Sequence, residues 1–188
     1  AHILRDVVRV IPGAQVTCEP VSRLEASMRQ PVINLALYEV KPTAGPANRD
    51  LPTRRPDGGL ALAHTQQLRL DYLLTFLGDP RAFEPERMLG QTLAVLAARA
   101  QLPGSVVAAG IAALRDPDAK AALSALDRGP GPSPTLAWGQ TEDDPRALWA
   151  QLSGGAPYQL SLALTVEPVR LVVDAASVDD LDPRPSVS

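Results

Sequence analysis

Residues 158–166 read YQLSLALTV, with Tyr158, Leu160, Leu162, Leu164 and Val166 apolar and Gln159, Ser161, Ala163 and Thr165 polar or small. A period of two belongs to a β-strand with one face on a core. The spacing predicts the five apolar residues inward and the other four outward. Pro168 interrupts the pattern, so Val169–Val173 reads as a separate short strand. Working outward, residues 67–77, QLRLDYLLTFL, place Leu68, Leu70, Tyr72, Leu74 and Phe76 on one unbroken apolar face. The opposite face changes from polar at Arg69 and Asp71 to apolar at Leu73 and Leu77. Residues 32–40, VINLALYEV, are apolar on both faces, which predicts a strand covered on both sides. Asn34 is the polar exception there, and a bond to a neighbouring backbone is its expected role.

The rest of the chain supplies helices and breaks. Residues 2–10 have Ile3, Val7 and Val10 on one helical face, stopped by Pro12-Gly13. Ala14–Glu19 is a short β-prone segment, and 21–30 reads as a loop or a poor helix. Glu84-Pro85-Glu86 opens a helix to about Arg99, with acidic residues at its positive end. Met88, Leu89, Leu93, Leu96 and Ala97 form its expected inner side, and Gly90 reads as a point where another backbone can approach. Residues 105–126 are Ala-rich and helix-capable, 128–134 a turn, 135–139 a short strand. Residues 143–152 read as a helix with Leu148, Trp149 and Leu152 inward. The predicted class is mixed α/β: a central mixed sheet flanked by helices, in one domain over 1–174.

Composition narrows the function classes. The chain has 188 residues, enough for one domain of ordinary size. A net charge of −3 argues against a nucleic-acid partner, whose phosphates demand a basic surface. No apolar run approaches the ~20 residues that span a bilayer, so no membrane partner is expected. The start, AHILRDVVRVIPG, is too short an apolar stretch for a signal peptide and lacks an A-x-A site. Cys18 is the single cysteine, which fits folding in the cytoplasm, and it reads as a small hydrophobe in a strand.

Catalytic constellations are sparse. His2 and His64 are the two histidines, and neither stands in a zinc-ligand spacing with Cys18. No G-x-S-x-G elbow or phosphate loop is present, so no catalytic, cofactor or metal site is expected. The one enzymatic alternative is a small hydrolase using His64 with Asp71. A monomeric peptide-binding module is a further alternative. Residues 41–59 form a long break with Pro42, Gly45, Pro46, Pro52, Pro56, Gly58 and Gly59, and carry Arg49, Arg54 and Arg55. A solvated loop and a docking loop are both open readings of it. From 175 to 188 the sequence is acidic and proline-punctuated, an extended arm.

The order of segments resembles a known family. VINLALYEV, PANRDLPTRR (46–55), LRLDYLLTFLGD (68–79), ERMLGQTLAVLAA (86–98) and YQLSLALTVEPVRLVV (158–173) follow one another as in the cap, or tail-terminator, proteins of phage-tail-like contractile injection systems. The distinctive parts are Asn48–Pro52, Asp71–Thr75 and Leu89-Gly90. The resemblance implies a subunit of a hexameric ring. That ring ends the inner tube and outer sheath distal to the baseplate, with tube protein, sheath protein and itself as partners. The candidate interface residues are Arg49, Arg54 and Arg55 in the loop, with Val178, Asp179, Asp180, Leu181 and Asp182 in the arm. A closed ring needs two different patches per subunit, and a basic loop with an acidic arm supplies opposites.

Overall fold

The computed structural model of the chain describes residues 4–9, 11–24, 30–43, 64–118, 120, 133–139 and 144–173. Five strands form one sheet: β1 (Gln15–Thr17), β2 (Val32–Pro42), β3 (His64–Leu77), β4 (Thr135–Trp138) and β5 (Ser161–Val173). Their order is β1-β2-β3-β5-β4. β1 runs parallel to β2, and every other neighbouring pair is antiparallel. Among the described residues the α-helices are α1 (Leu4–Val8), α2 (Glu84–Ala98), α3 (Gly104–Ala112) and α4 (Pro145–Leu152).

The two faces of the sheet carry two cores. On one face α1 and α2 bring Leu4, Val7, Met88 and Leu96 onto Ile33, Leu74, Phe76, Leu136, Leu164 and Val166. On the other, α4 and the 3₁₀ turn at Val21–Arg23 bring Leu148, Trp149, Val21 and Leu24 onto Val32, Ala36, Leu73, Leu77 and Ala163. Alternation along β2, β3 and β5 sends successive side chains to these two cores. α4 starts where Asp144 accepts a bond from the Arg146 amide at 3.0 Å and Pro145 occupies the first turn. It stops at Gly154, whose φ of +66° suits a residue without a Cβ.

Several expectations change here. Pro168 does not end a strand, since β5 runs unbroken from Ser161 to Val173. Its partner β4 ends opposite Glu167, so the missing N–H of Pro168 falls where that edge is already unpaired. A bulge at the same place sets Leu68 against Val169 and Leu70 against Val166. Ser161, Ala163 and Thr165, expected outward, are buried. α4 covers Ala163, and the hydroxyls find partners within the sheet. Tyr158, expected inward, is exposed and precedes the strand, its ring under the Arg146 guanidinium at 5.2 Å. In α2 the buried side is Pro85, Met88, Thr92 and Leu96, whereas Ala97 is exposed. A Cβ on Gly90 would meet nothing within 4 Å, so among the described residues no backbone from outside its own helix approaches it. Cys18 lies one residue past β1 and is exposed rather than buried.

Asn34 behaves as expected and more fully. Its Oδ1 accepts from the Glu19 amide and from Thr17 Oγ1, both at 2.8 Å, and its Nδ2 donates to the Glu19 carbonyl at 2.9 Å. The amide side chain thus stands in for one more strand residue and ties the segment after β1 to β2. In register beside it lie Thr75 and Ser161, whose hydroxyls are 3.4 Å apart. A polar row therefore crosses the sheet beneath α4, each member satisfied by a neighbour.

Candidate assembly surface

The sheet is wider at one end than its neighbours can cover. β1 pairs only with Val32–Asn34, and β4 only with Leu164–Glu167. Among the described residues the β2 edge is open past β1 from Leu35 to Pro42, and the β5 edge is open past β4 from Pro168 to Val173. This end of the sheet is a ribbon in which β3 pairs with β2 as far as Leu68 and with β5 alone from Gln67 to His64. On this ribbon Leu37 is 50% and Val40 48% exposed, against the expectation of a strand covered on both sides. A regular strand would put residues three apart on opposite faces. A register shift between Leu37 and Glu39 restores them to one face, opposite Tyr72 and Leu70. Burial pushes the Tyr72 phenol up, with a smaller contribution from Cys18.

The other face of the ribbon is built on charge. Asp71 is fully buried, and both its oxygens accept from Arg69 Nε, at 2.9 and 3.0 Å. Thr165 Oγ1 donates to Asp71 Oδ1 at 2.6 Å. The hydrogen bond it donates to Asp71 raises the Arg69 guanidinium above its ordinary value. This cluster joins β3 to β5 beside the bulge at Leu68 and Leu70. Arg69 keeps 31% of its side chain exposed, so the pair is half in water and half in the sheet. At the open edge Lys41 bonds Glu39 at 2.8 Å, which raises the Lys41 ammonium.

The hydrolase arrangement does not form. His64 and Asp71 are seven positions apart on one strand, roughly 23 Å at ~3.3 Å per residue. Asp71 is committed to Arg69 and Thr165 instead. Among the described residues no group of three or more His, Cys, Asp or Glu could hold a metal ion. None of the described helices is long and apolar enough to cross a membrane.

Arg49, Arg54, Arg55, Val178, Asp179, Asp180, Leu181 and Asp182 lie outside the described residues. Their points of attachment do not. The Thr43 amide donates to the Gln67 carbonyl at 2.9 Å, and His64 pairs with Val173. The segments 44–63 and 174–188 are therefore joined to the same end of the ribbon. Sequence reasoning missed the exposure of Leu37 and Val40, which it read as residues of a strand covered on both sides. The Arg69–Asp71 pair was legible as an i, i+2 pair of opposite charge on one strand face.

The fold is an open mixed sheet with helices on both faces. The chain is similar to the sheath/tube terminator of an extracellular contractile injection system, PVC, in its extended state (TM-score 0.57, 16% identity, 99% of this chain and 59% of that one). It is equally similar to the anti-feeding prophage cap, a tube-terminating cap (TM-score 0.58, 16% identity, 100% of this chain and 58% of that one). The model of the Pvc16 N-terminal domain family matches residues 1–179, and the chain belongs to that family. It spans about three fifths of the length of both solved structures. No curated protein matches it.

Proposed function

We propose that the chain is a structural cap, a tail terminator that ends the inner tube and outer sheath of a contractile injection system and stabilises the extended particle. The observation that carries this reading is the family match over residues 1–179, with terminators as the structural neighbours of the whole chain. The bare ribbon supports it, because an uncovered sheet end with open edges is what an assembling subunit presents to others. In this reading the partners are the inner tube protein, the sheath protein and further copies of the chain, in a hexameric ring. The role is structural rather than enzymatic, and assembly takes place in the cytoplasm. Residues 1–174 form the domain, and 175–188 an arm that meets a neighbour, its Asp179, Asp180 and Asp182 toward Arg49, Arg54 or Arg55. Deleting the gene is expected to give sheath–tube assemblies of abnormal length, or extended sheaths that fail to persist, in electron micrographs. Particles of normal length and stability from the deletion strain overturn the reading.

A further inference from the structure

β2 carries one residue more than the stretch of β3 it faces. Leu37 pairs with Tyr72 and Glu39 with Asp71, so Tyr38 is surplus in the ladder. An inserted residue reverses the faces of everything after it. With the insertion, Val40 pairs with Leu70, Lys41 with Arg69 and Pro42 with Leu68. The Thr43 amide, which donates to the Gln67 carbonyl at 2.9 Å, continues that register. Without the insertion the same strand would set Glu39 against Leu70, Val40 against Arg69, Lys41 against Leu68 and Pro42 against Gln67. The first register gathers Leu37 and Val40 on one face. The second replaces Val40 there by Glu39 and Lys41.

Burial does little to choose between them. Leu37 and Val40 are about half exposed, and past Asn34 β2 has no outer neighbour among the described residues. Register is weakly specified where no face is sealed. The charges on the opposite face do distinguish the two registers. Asp71 is the fixed point there. It is fully buried, accepts from Arg69 Nε at 2.9 and 3.0 Å, and accepts from Thr165 Oγ1 at 2.6 Å. The Arg69 guanidinium also donates to Thr165 Oγ1 at 3.4 Å.

The bulged register lays Glu39 and Lys41, bonded to each other at 2.8 Å, alongside this cluster. Directly facing charges are alike, Glu39 with Asp71 and Lys41 with Arg69. Each also has two opposite charges beside it, one on its own strand and one on the diagonal. The balance is attractive: Lys41 is held charged by Glu39 foremost, and Asp71 favours that charge by more than Arg69 opposes it. In the slipped register Val40 would occupy this face, and the Glu39–Lys41 pair would lie among leucines. Buried polar networks that specify one register at little gain in stability are a known use of such groups.

We propose that Asp71, with Arg69 and Thr165, is a register lock for β2: it selects the bulged register and so keeps Leu37 and Val40 side by side on the face the subunit offers in assembly. The mention of assembly rests on the reading of the chain as a cap, and the lock itself does not.

Register is read on the isolated full chain, in a Cys18→Ser background, by disulfide formation between facing strands. Pro42→Cys with Leu68→Cys reports the bulged register, and Pro42→Cys with Gln67→Cys the slipped one. With the lock intact the first pair is expected to close roughly tenfold faster or more. Arg69→Met, Asp71→Val and Thr165→Val together remove the cluster and leave no buried charge unpaired. They are expected to bring the two rates within about twofold while the thermal midpoint stays near the parent's. Deleting Tyr38 in that background removes the surplus residue and is expected to restore the preference for the Leu68 pair. A merely structural cluster would lower the midpoint and leave the ratio alone. Asp71→Asn keeps the side chain's shape, and serves if the triple variant does not fold; it is expected to narrow the ratio by roughly threefold or more. A ratio unchanged from the parent in these variants overturns the lock. Capping is then read as the length of sheath–tube assemblies in micrographs. The unlocked chain is expected to cap poorly and its Tyr38-deleted derivative to recover. If the ratio collapses and the unlocked chain still caps as the parent does, the tie between register and assembly is overturned. If the parent itself does not cap, the cap reading falls, and the crosslinking ratio still decides the lock.

Discussion

The two ends of the sheet are made of the same three strands and share the same apolar rhythm, yet they have opposite surroundings. At one end Ile33, Leu73, Leu74 and Phe76 are wholly buried between α1 and α2 on one side and α4 on the other. At the other end Leu37 and Val40, of equal apolarity, stand about half in water. Alternation reports that a strand has an apolar face, but not whether the same chain covers it. The covered end is where folding free energy is concentrated, and the bare end adds little to it.

That contrast can be broken from either side. The largest effect is expected from Ala163→Asp, which puts an unpaired carboxylate beneath α4 and should cost more than about 4 kcal/mol, enough to leave the chain unfolded by circular dichroism. Phe76→Ala, at the centre of the α1–α2 face, is expected to cost about 3–5 kcal/mol in urea unfolding. Asp71→Ala should cost about 2 kcal/mol. It strands the Thr165 hydroxyl, while the half-exposed Arg69 can turn to water. Leu37→Ser is expected to stay within about 0.5 kcal/mol of the parent while weakening assembly. If Leu37→Ser destabilised the isolated chain as much as Phe76→Ala, the two ends would not differ and the contrast would be lost.

The smallest effect concerns alkali. Burial raises the Tyr72 phenol, so the folded chain holds this proton more tightly than the unfolded chain, whose phenol titrates near pH ~10. Stability from this group is complete below that value and declines as pH rises toward the folded pKa. Tyr72→Phe should flatten the decline in thermal midpoint above pH ~10, which sharpens the boundary between the covered end and the ribbon.

Much of the covered end was legible in the sequence. Period-two runs located β2, β3 and most of β5, and the Asp144-Pro145 start located α4. What escaped depended on partners distant in the chain. Ser161 and Thr165 look like solvent-facing residues until Thr75 and Asp71 arrive from 86 and 94 positions away. Pro168 looks like a strand end until β4 is seen to stop at Glu167. The candidate site was legible only as a class. Leu37 and Val40 read as core because nothing local marks the bulge between them.

The central pairing of β3 with β5 has a bearing on how the chain comes off the ribosome. Asp71 waits for a partner 94 residues further along, so while synthesis proceeds only β1, β2 and β3 are available to pair. Non-local strand pairing of this kind is slow to form, because a long loop must close first. Until β5 emerges, the upper part of β3 has one neighbour instead of two and the ribbon has no third strand. A nascent chain therefore has no complete central sheet until residues 161–173 have been made. Through that interval the edge of β3 that β5 will cover stays unpaired, so the stretch of chain between the two strands is also the period of greatest exposure to wrong pairing.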